Sequence, residues 1–180
     1  MKYELRFVGS GGQGVILAGL IFSEAAGIDE KLNVVQTQLY GAATRGEISK
    51  SEVIVSDQKI NYIKVRNADI LLALNQESFN AYNGNVKENG IILIDSFYVK
   101  DYNKDDKRII ALPLSETAIR VTNREVTTNI VSLGVITILS RIIKKESMKN
   151  AVLRRIPKGT EEMNIAALEE GFKLGEGVRW

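Results

Sequence analysis

The segment Phe7-Val8-Gly9-Ser10-Gly11-Gly12-Gln13-Gly14-Val15 constrains this chain more than any other stretch. An apolar run from Leu5 to Val8 leads into it, and an apolar helical pattern from Val15 to Ala26 leads away. Four glycines fall within the six residues between them. Glycine accepts positive φ and lets other groups approach the backbone. Placed after a strand and before a helix, such a loop aims N–H groups outward at the positive end of the helix and makes an anion site. Gly9, Gly11 and Gly14 fit the G-x-G-x-x-G spacing of dinucleotide folds, with Gly12 and Gln13 inside the loop. The competing reading is a tight strand-to-helix turn with no ligand.

A dinucleotide site also wants Asp or Glu at the end of the second strand, to hold the ribose. The second strand is expected at Asn33–Leu39, after a helix over residues 15–27, in a right-handed βαβ unit. It carries Gln36, Thr37 and Gln38 where the acid belongs, so the fingerprint is incomplete. The loop that follows, Tyr40 to Glu47, is expected on the same carboxyl edge of the sheet. Arg45 there is either a bidentate donor to phosphate or carboxylate or a surface ion pair. Tyr40 is either a site residue or a packed ring.

The rest of the pattern alternates strands and helices. Ser49–Ser56 reads as a third strand, at an edge or in a hairpin. Asn61–Asn67 is a connector, and Asp69–Leu74 a buried parallel strand. A short helix is expected over Gln76–Asn83, a turn at Val86–Asn89 with Gly90 as punctuation, and strands at Ile91–Ile94 and Arg108–Leu112. Asp95, at a strand's carboxyl end, is either a site residue or a turn carboxylate. The mixed charges of Lys100–Arg108 make a solvated loop. Ser115 is expected to cap one helix and Asn123 another, over Glu125–Ile143, apolar on most faces. Asn129 inside it needs a hydrogen-bond partner, either the 9–14 loop or solvent and a subunit contact. Helices over Ser147–Ile156 and from Thr160 to Leu174 follow, with a loose tail from Gly175. The fold class is α/β in one domain, 1–180: a Rossmann-like open, mainly parallel sheet, helices on both faces and a helical C-terminal third.

Bulk properties narrow the function. The 180 residues suffice for a real core, and a net charge of +2 is too small to argue for nucleic acid or a membrane surface. No apolar run reaches the ~20 residues of a membrane helix, and the first residues read directly as a strand, so a cytoplasmic protein is expected. There is no cysteine and no histidine. Cysteine-ligated iron–sulfur or zinc centres and the commonest general base are therefore excluded from this chain.

Several segments in order resemble one family. Gly9-Ser-Gly-Gly-Gln-Gly-Val15, Val34-Val-Gln-Thr-Gln-Leu-Tyr40-Gly41, Arg45-Gly46 and Lys50-Ser-Glu-Val-Ile-Val-Ser56 are similar to the gamma subunit, or fused gamma domain, of 2-oxoacid:ferredoxin oxidoreductases. Ile156-Pro157, Asn164, Ala167 and Gly171 look like that family's last helix. The Gln-Thr-Gln phrase is similar to the 2-oxoglutarate branch rather than the pyruvate and ketoisovalerate branches. Glu47 departs from the usual Arg-Gly-Gly, and Ala42 from the usual Tyr-Gly-Pro.

The resemblance implies a subunit of an assembly that oxidatively decarboxylates a 2-oxoacid, most readily 2-oxoglutarate. Coenzyme A takes the acyl group and ferredoxin the electrons. It implies alpha and beta partners, with a delta chain in some members. Thiamine diphosphate, Mg and 4Fe-4S clusters then sit in those partners, and the isolated chain is inactive, with self-association into a homodimer open to it. Coenzyme A is the leading ligand for a site built from Gly9, Gly11, Gly12, Gln13, Gly14, Tyr40, Gly41, Arg45, Gly46 and Asn129. No catalytic residue and no metal ligand is expected in this chain. The alternatives are a stand-alone dinucleotide-binding oxidoreductase and a non-catalytic interaction module.

Overall fold

A computed structural model describes residues 1–39 and 48–179. The elements in order are β1 (Lys2–Ser10), α1 (Val15–Glu24, continued by a π-helical turn over Ala25–Asp29), β2 (Asn33–Leu39), β3 (Ile48–Ser56), β4 (Ala68–Ala73), α2 (Gln76–Tyr82), β5 (Val86–Asp95), β6 (Ile109–Leu112), α3 (Leu114–Thr122), a 3-10 turn (Glu125–Thr127), α4 (Thr128–Ser140), α5 (Lys145–Arg155) and α6 (Glu161–Glu176). They form a six-stranded sheet in the order β2-β3-β1-β4-β5-β6. β1, β4, β5 and β6 run parallel, while β3 is antiparallel to both β1 and β2. The expected α/β architecture is therefore present, in a mixed, mainly parallel sheet in which β3 runs against the other strands.

Two expectations about strand order are corrected. β3 is an interior strand, not an edge, although it does make a hairpin with β2. Its three consecutive apolar residues explain why: Val53 and Val55 pack into the large core on one face, and Ile54 into a smaller cluster on the other. β2 is the edge, half-exposed along its length. It is not β1's neighbour, so the expected βαβ unit is interrupted by a third strand.

The period of two puts alternate residues on opposite faces. Leu5 and Phe7 of β1 and Ile70 and Leu72 of β4 join α1, α4, α5 and α6 in the main core. Val8, Leu71 and Ala73 face the other way, toward Phe79 of α2. The helices thus cover both faces, unequally.

Other expectations shift for local reasons. Val86–Asn89 is not a turn but the start of β5, its backbone paired to β4 at Ala68. Gly90 is needed there, because a Cβ would stand 3.0 Å from the Ala68 carbonyl oxygen. Asn123 does not begin a helix; it ends α3 in the left-handed conformation, at φ 56°. Glu125 then opens a 3-10 turn, and α4 ends at Ser140, short of Ile143. The tail is not loose from Gly175, since α6 runs to Glu176 and Gly175 is buried against Ile138 of α4. α4 is buried on nearly every face, as its composition requires. No described helix is long and apolar enough to cross a membrane.

Candidate functional site

The glycine loop occupies the carboxyl ends of β1 and β4, where an open α/β sheet places its ligands. Its shape is set from inside. The Gln13 side chain accepts from the Ser10 N–H at 2.7 Å and from Asn75 Nδ2 at 3.1 Å, and its own Nε2 donates to the Leu74 carbonyl at 3.3 Å. Asn75 also donates to Ser10 Oγ at 2.6 Å, and it caps α2 by accepting from the Ser78 N–H. Gln13 is therefore a stitch between loop and sheet, with both its oxygen and its nitrogen engaged. Gly9 makes room for it, since a Cβ there would meet Gln13 Oε1 at 2.8 Å.

Gly12 and Gly14 adopt φ of 92° and 72°, the left-handed region where side chains are strained. Gln13 N–H is used within the loop, donating to the Ser10 carbonyl at 3.1 Å. The N–H groups of Gly11, Gly12 and Gly14 have no acceptor among the described residues. Nothing lies within 4 Å of a Cβ built on Gly11 or Gly12. The first turn of α1 holds no acidic residue to compete for its positive end.

Asn129 lies behind this loop, not in front of it. It is buried, and its Nδ2 donates to the Gly14 carbonyl at 3.2 Å, so of the two expected surroundings the loop is the one found. It lines neither cleft described below. Asn129→Leu should remove the tie without opening a cavity. The expected cost is about 1 kcal/mol, because the Gly14 carbonyl keeps its bond from the Ala18 N–H. A denaturant melt that loses more than about 3 kcal/mol would give Asn129 a larger part.

Two clefts flank the loop. One, of about 390 Å³, runs along Ser10, Gly11, Gly12 and Gly14 to Val15, Ile16, Leu17 and Leu20 of α1 and Ser49 of β3. The other, of about 200 Å³, lies between Gly12, Gln13, Asp95, Tyr98, Ser115, Glu125, Val126 and Thr128. A larger hollow of about 690 Å³ sits at the amino ends of the strands, away from the loop. Two of its lysines are engaged, Lys2 with Glu4 and Lys87 with Asp69.

The smaller cleft was only partly visible in the sequence. Asp95 is fully buried and accepts from the N–H groups of Phe97 at 3.2 Å and Ser115 at 3.3 Å. Burial pushes its carboxyl above the usual carboxylate range, against the pull of these donors. Ser115 was expected to cap α3, but Pro113 holds that position and the Asp95 carboxylate meets the helix from across the sheet edge. The buried Ser115 hydroxyl has no hydrogen-bond partner of normal geometry, though it stands close enough to Asp95 to pull the pKa of that carboxyl down, against the effect of burial. Glu125 accepts from the Tyr98 hydroxyl. Tyr98 and Glu125 carried no sequence signal for a site, because only the 3-10 turn brings them together.

Tyr40, Gly41, Arg45 and Gly46 lie outside the described residues. The chain re-enters the sheet at Ile48, whose Cα partner in β1 is Ser10.

A family model described as pyruvate ferredoxin/flavodoxin oxidoreductase matches residues 4–174. The chain belongs to this family. Among its relatives are the 2-oxoglutarate synthase subunits KorC of Methanocaldococcus jannaschii, 40% identical over 98% of this chain and 95% of that one, and of Methanothermobacter marburgensis, 35% identical over 97% of each. A solved keto/oxoacid ferredoxin oxidoreductase gamma subunit from Geobacter sulfurreducens superposes with a TM-score of 0.88 at 40% identity, covering 98% of this chain and 97% of that one. A 2-oxoglutarate:ferredoxin oxidoreductase from Magnetococcus marinus shares the fold, at 20% identity and a TM-score of 0.86. It covers 99% of this chain and 32% of that one.

Within this pyruvate ferredoxin/flavodoxin oxidoreductase member, the dinucleotide reading fails on geometry as well as on Gln36–Gln38. With β3 inserted, the end of β2 stands two strand spacings, about 10 Å, from β1. An acid placed there would not reach a ribose held over the glycine loop as it does where the two strands are neighbours. Among the described residues no group of three or more potential metal ligands occurs.

Proposed function

We propose that this chain is the gamma subunit of a 2-oxoglutarate:ferredoxin oxidoreductase. Its part is to present the glycine loop to an anionic group of coenzyme A, while companion alpha and beta chains carry out decarboxylation and electron transfer. The near end-to-end similarity to 2-oxoglutarate synthase subunits supports the substrate. The open backbone at Gly11 and Gly12 supports the ligand, because their N–H groups and that of Gly14 have no acceptor among the described residues and stand at a helix's positive end, which suits a phosphate.

The flanking clefts decide which side the anion takes. Asp95 and Glu125 face the smaller one, and their charge disfavours a phosphate there. Among the described residues the larger cleft carries no carboxylate, and the apolar flank of Val15, Leu17 and Leu20 suits the thin pantetheine arm of coenzyme A. Arg45 stands three residues before Ile48, a reach of about 11 Å at full extension, and would supply a bidentate donor on that side. Thiamine diphosphate, Mg²⁺ and the 4Fe-4S clusters belong to the companion chains, since no cysteine here can hold a cluster. Electrons leave to ferredoxin from those chains.

In the reconstituted complex, Arg45→Ala should raise KM for coenzyme A at least tenfold with kcat for 2-oxoglutarate oxidation little changed. A KM for coenzyme A within twofold of the unmodified complex would remove Arg45 from the site.

A further inference from the structure

The acidic cleft on the other side of the glycine loop has no part in the reading above, and its chemistry is the opposite of an anion site. Two carboxylates face it, one buried and one at its mouth. Among the described residues no cationic side chain lines it. The buried Ser115 hydroxyl stands beside the Asp95 carboxylate, and its oxygen has no donor among the described residues. Around the opening the surface is apolar. Val126 is 60% exposed, Tyr98 38%, and Phe97, packed edge-on against Tyr98 at 4.9 Å, is 48% exposed.

We propose that this cleft is a socket for one positively charged side chain, an arginine or lysine, of a companion subunit in the oxidoreductase complex. The inference rests on the gamma-subunit reading, because that reading supplies the companion. Three observations favour a protein side chain over a free ligand. The volume, about 200 Å³, lies below the range of small-molecule sites and suits a single long side chain. The rim is aromatic and aliphatic, so a seated cation would be ringed by apolar contacts that exclude water, the pattern of an interface hot spot. A divalent metal ion would find only two carboxylates, and no group of three potential ligands occurs among the described residues. The entering cation would meet Asp95 at the floor, Glu125 and the Tyr98 hydroxyl at the mouth, and the Ser115 oxygen as a spare acceptor. In a water-poor pocket a guanidinium or ammonium so placed is bound through charge-assisted hydrogen bonds.

The test uses the complex assembled from this full chain and its native companion subunits, with dissociation constants measured at low and moderate salt. Glu125→Lys places a cation in the mouth and should weaken assembly at least thirtyfold. Glu125→Gln should weaken it about tenfold and flatten the salt dependence. Glu88→Lys makes the same charge change at an exposed position at the far end of β5 and should leave assembly within twofold. Glu125 is exposed, so a thermal melt of each variant should match the unmodified chain. Assembly of the Glu125→Lys chain within threefold of the unmodified chain overturns the socket. So does an equal loss with Glu88→Lys, or density in the assembled complex showing a small molecule or metal ion in the cleft. Failure of the unmodified chain to assemble with any thiamine-dependent companion overturns the gamma-subunit reading itself, a separable result.

Discussion

Gly171→Ala should lower the stability of this chain by about 3 kcal/mol, the upper end of what overpacking costs. α4 and α6 cross glycine on glycine. A Cβ on Gly171 would stand 2.1 Å from the Val131 carbonyl oxygen, and one on Gly134 would stand 2.4 Å from that of Leu168. Both obstacles are backbone, which cannot rotate aside as a side chain does. The crossing also holds up the site, because α4 begins at Thr128 beside Asn129, the residue tied to the Gly14 carbonyl. In a chain of this size the expected fall in melting temperature is roughly 6–12 °C. Gly84→Ala is the matched control, since nothing lies within 4 Å of a Cβ there. A Gly171→Ala melt within 2 °C of the control would mean that the two helices are farther apart than described.

Arg6→Met should cost roughly 3–5 kcal/mol, the range found when one partner of a buried ion pair is removed. Arg6 is buried in β1 with its Nε 2.8 Å from Glu52 Oε1 in β3. Its guanidinium also donates to the carbonyls of Val65 at 2.5 Å and Asn85 at 3.3 Å, and lies 5.1 Å from the Tyr82 ring. One side chain thus joins β1, β3, the 57–67 connector and the turn before β5. Methionine fills similar space but leaves the Val65 carbonyl without its donor and Glu52 with Lys50 alone, at 3.2 Å, while the Asn85 carbonyl keeps its bond from the Ala68 N–H. The double change Arg6→Met with Glu52→Leu should recover most of the loss, because a well-packed apolar pair often replaces a buried ion pair at no cost. Unfolding in urea reads both values. A single variant within about 1 kcal/mol of the unmodified chain would show that the pair is hydrated rather than buried.

Local pattern told most of the elements and little of their neighbours. Asn33–Leu39 forms a strand with the bounds expected of it, and the glycine loop sits between strand and helix as its residues require. The position of β3 was not legible in the same way. Alternation shows that a segment is a strand, whereas Val53-Ile54-Val55 shows that both faces are covered, and only the second fact separates interior from edge. Lys87-Glu88-Asn89 misled because a polar run reads as a turn. Lys87 pairs with Asp69, Glu88 and Asn89 are exposed, and the three form an irregularity in the strand between the paired residues Val86 and Ile91. At the site, the bond from Asn129 to Gly14 followed from a simple rule, that a buried amide finds a partner. The acidic cleft obeys no short-range rule. Asp95, Ser115 and Glu125 lie on β5, α3 and a 3-10 turn, and they meet only because α3 ends in the left-handed Asn123 and returns the chain over the sheet edge.

The central claim is that this chain recognises and its companions react. It is tested most directly by assaying the purified chain, alone and after adding the alpha and beta chains, for coenzyme A-dependent oxidation of 2-oxoglutarate with ferredoxin as acceptor. The account predicts no turnover from the chain alone and full turnover only in the assembled complex. Oxidation of 2-oxoglutarate by the chain alone would contradict it.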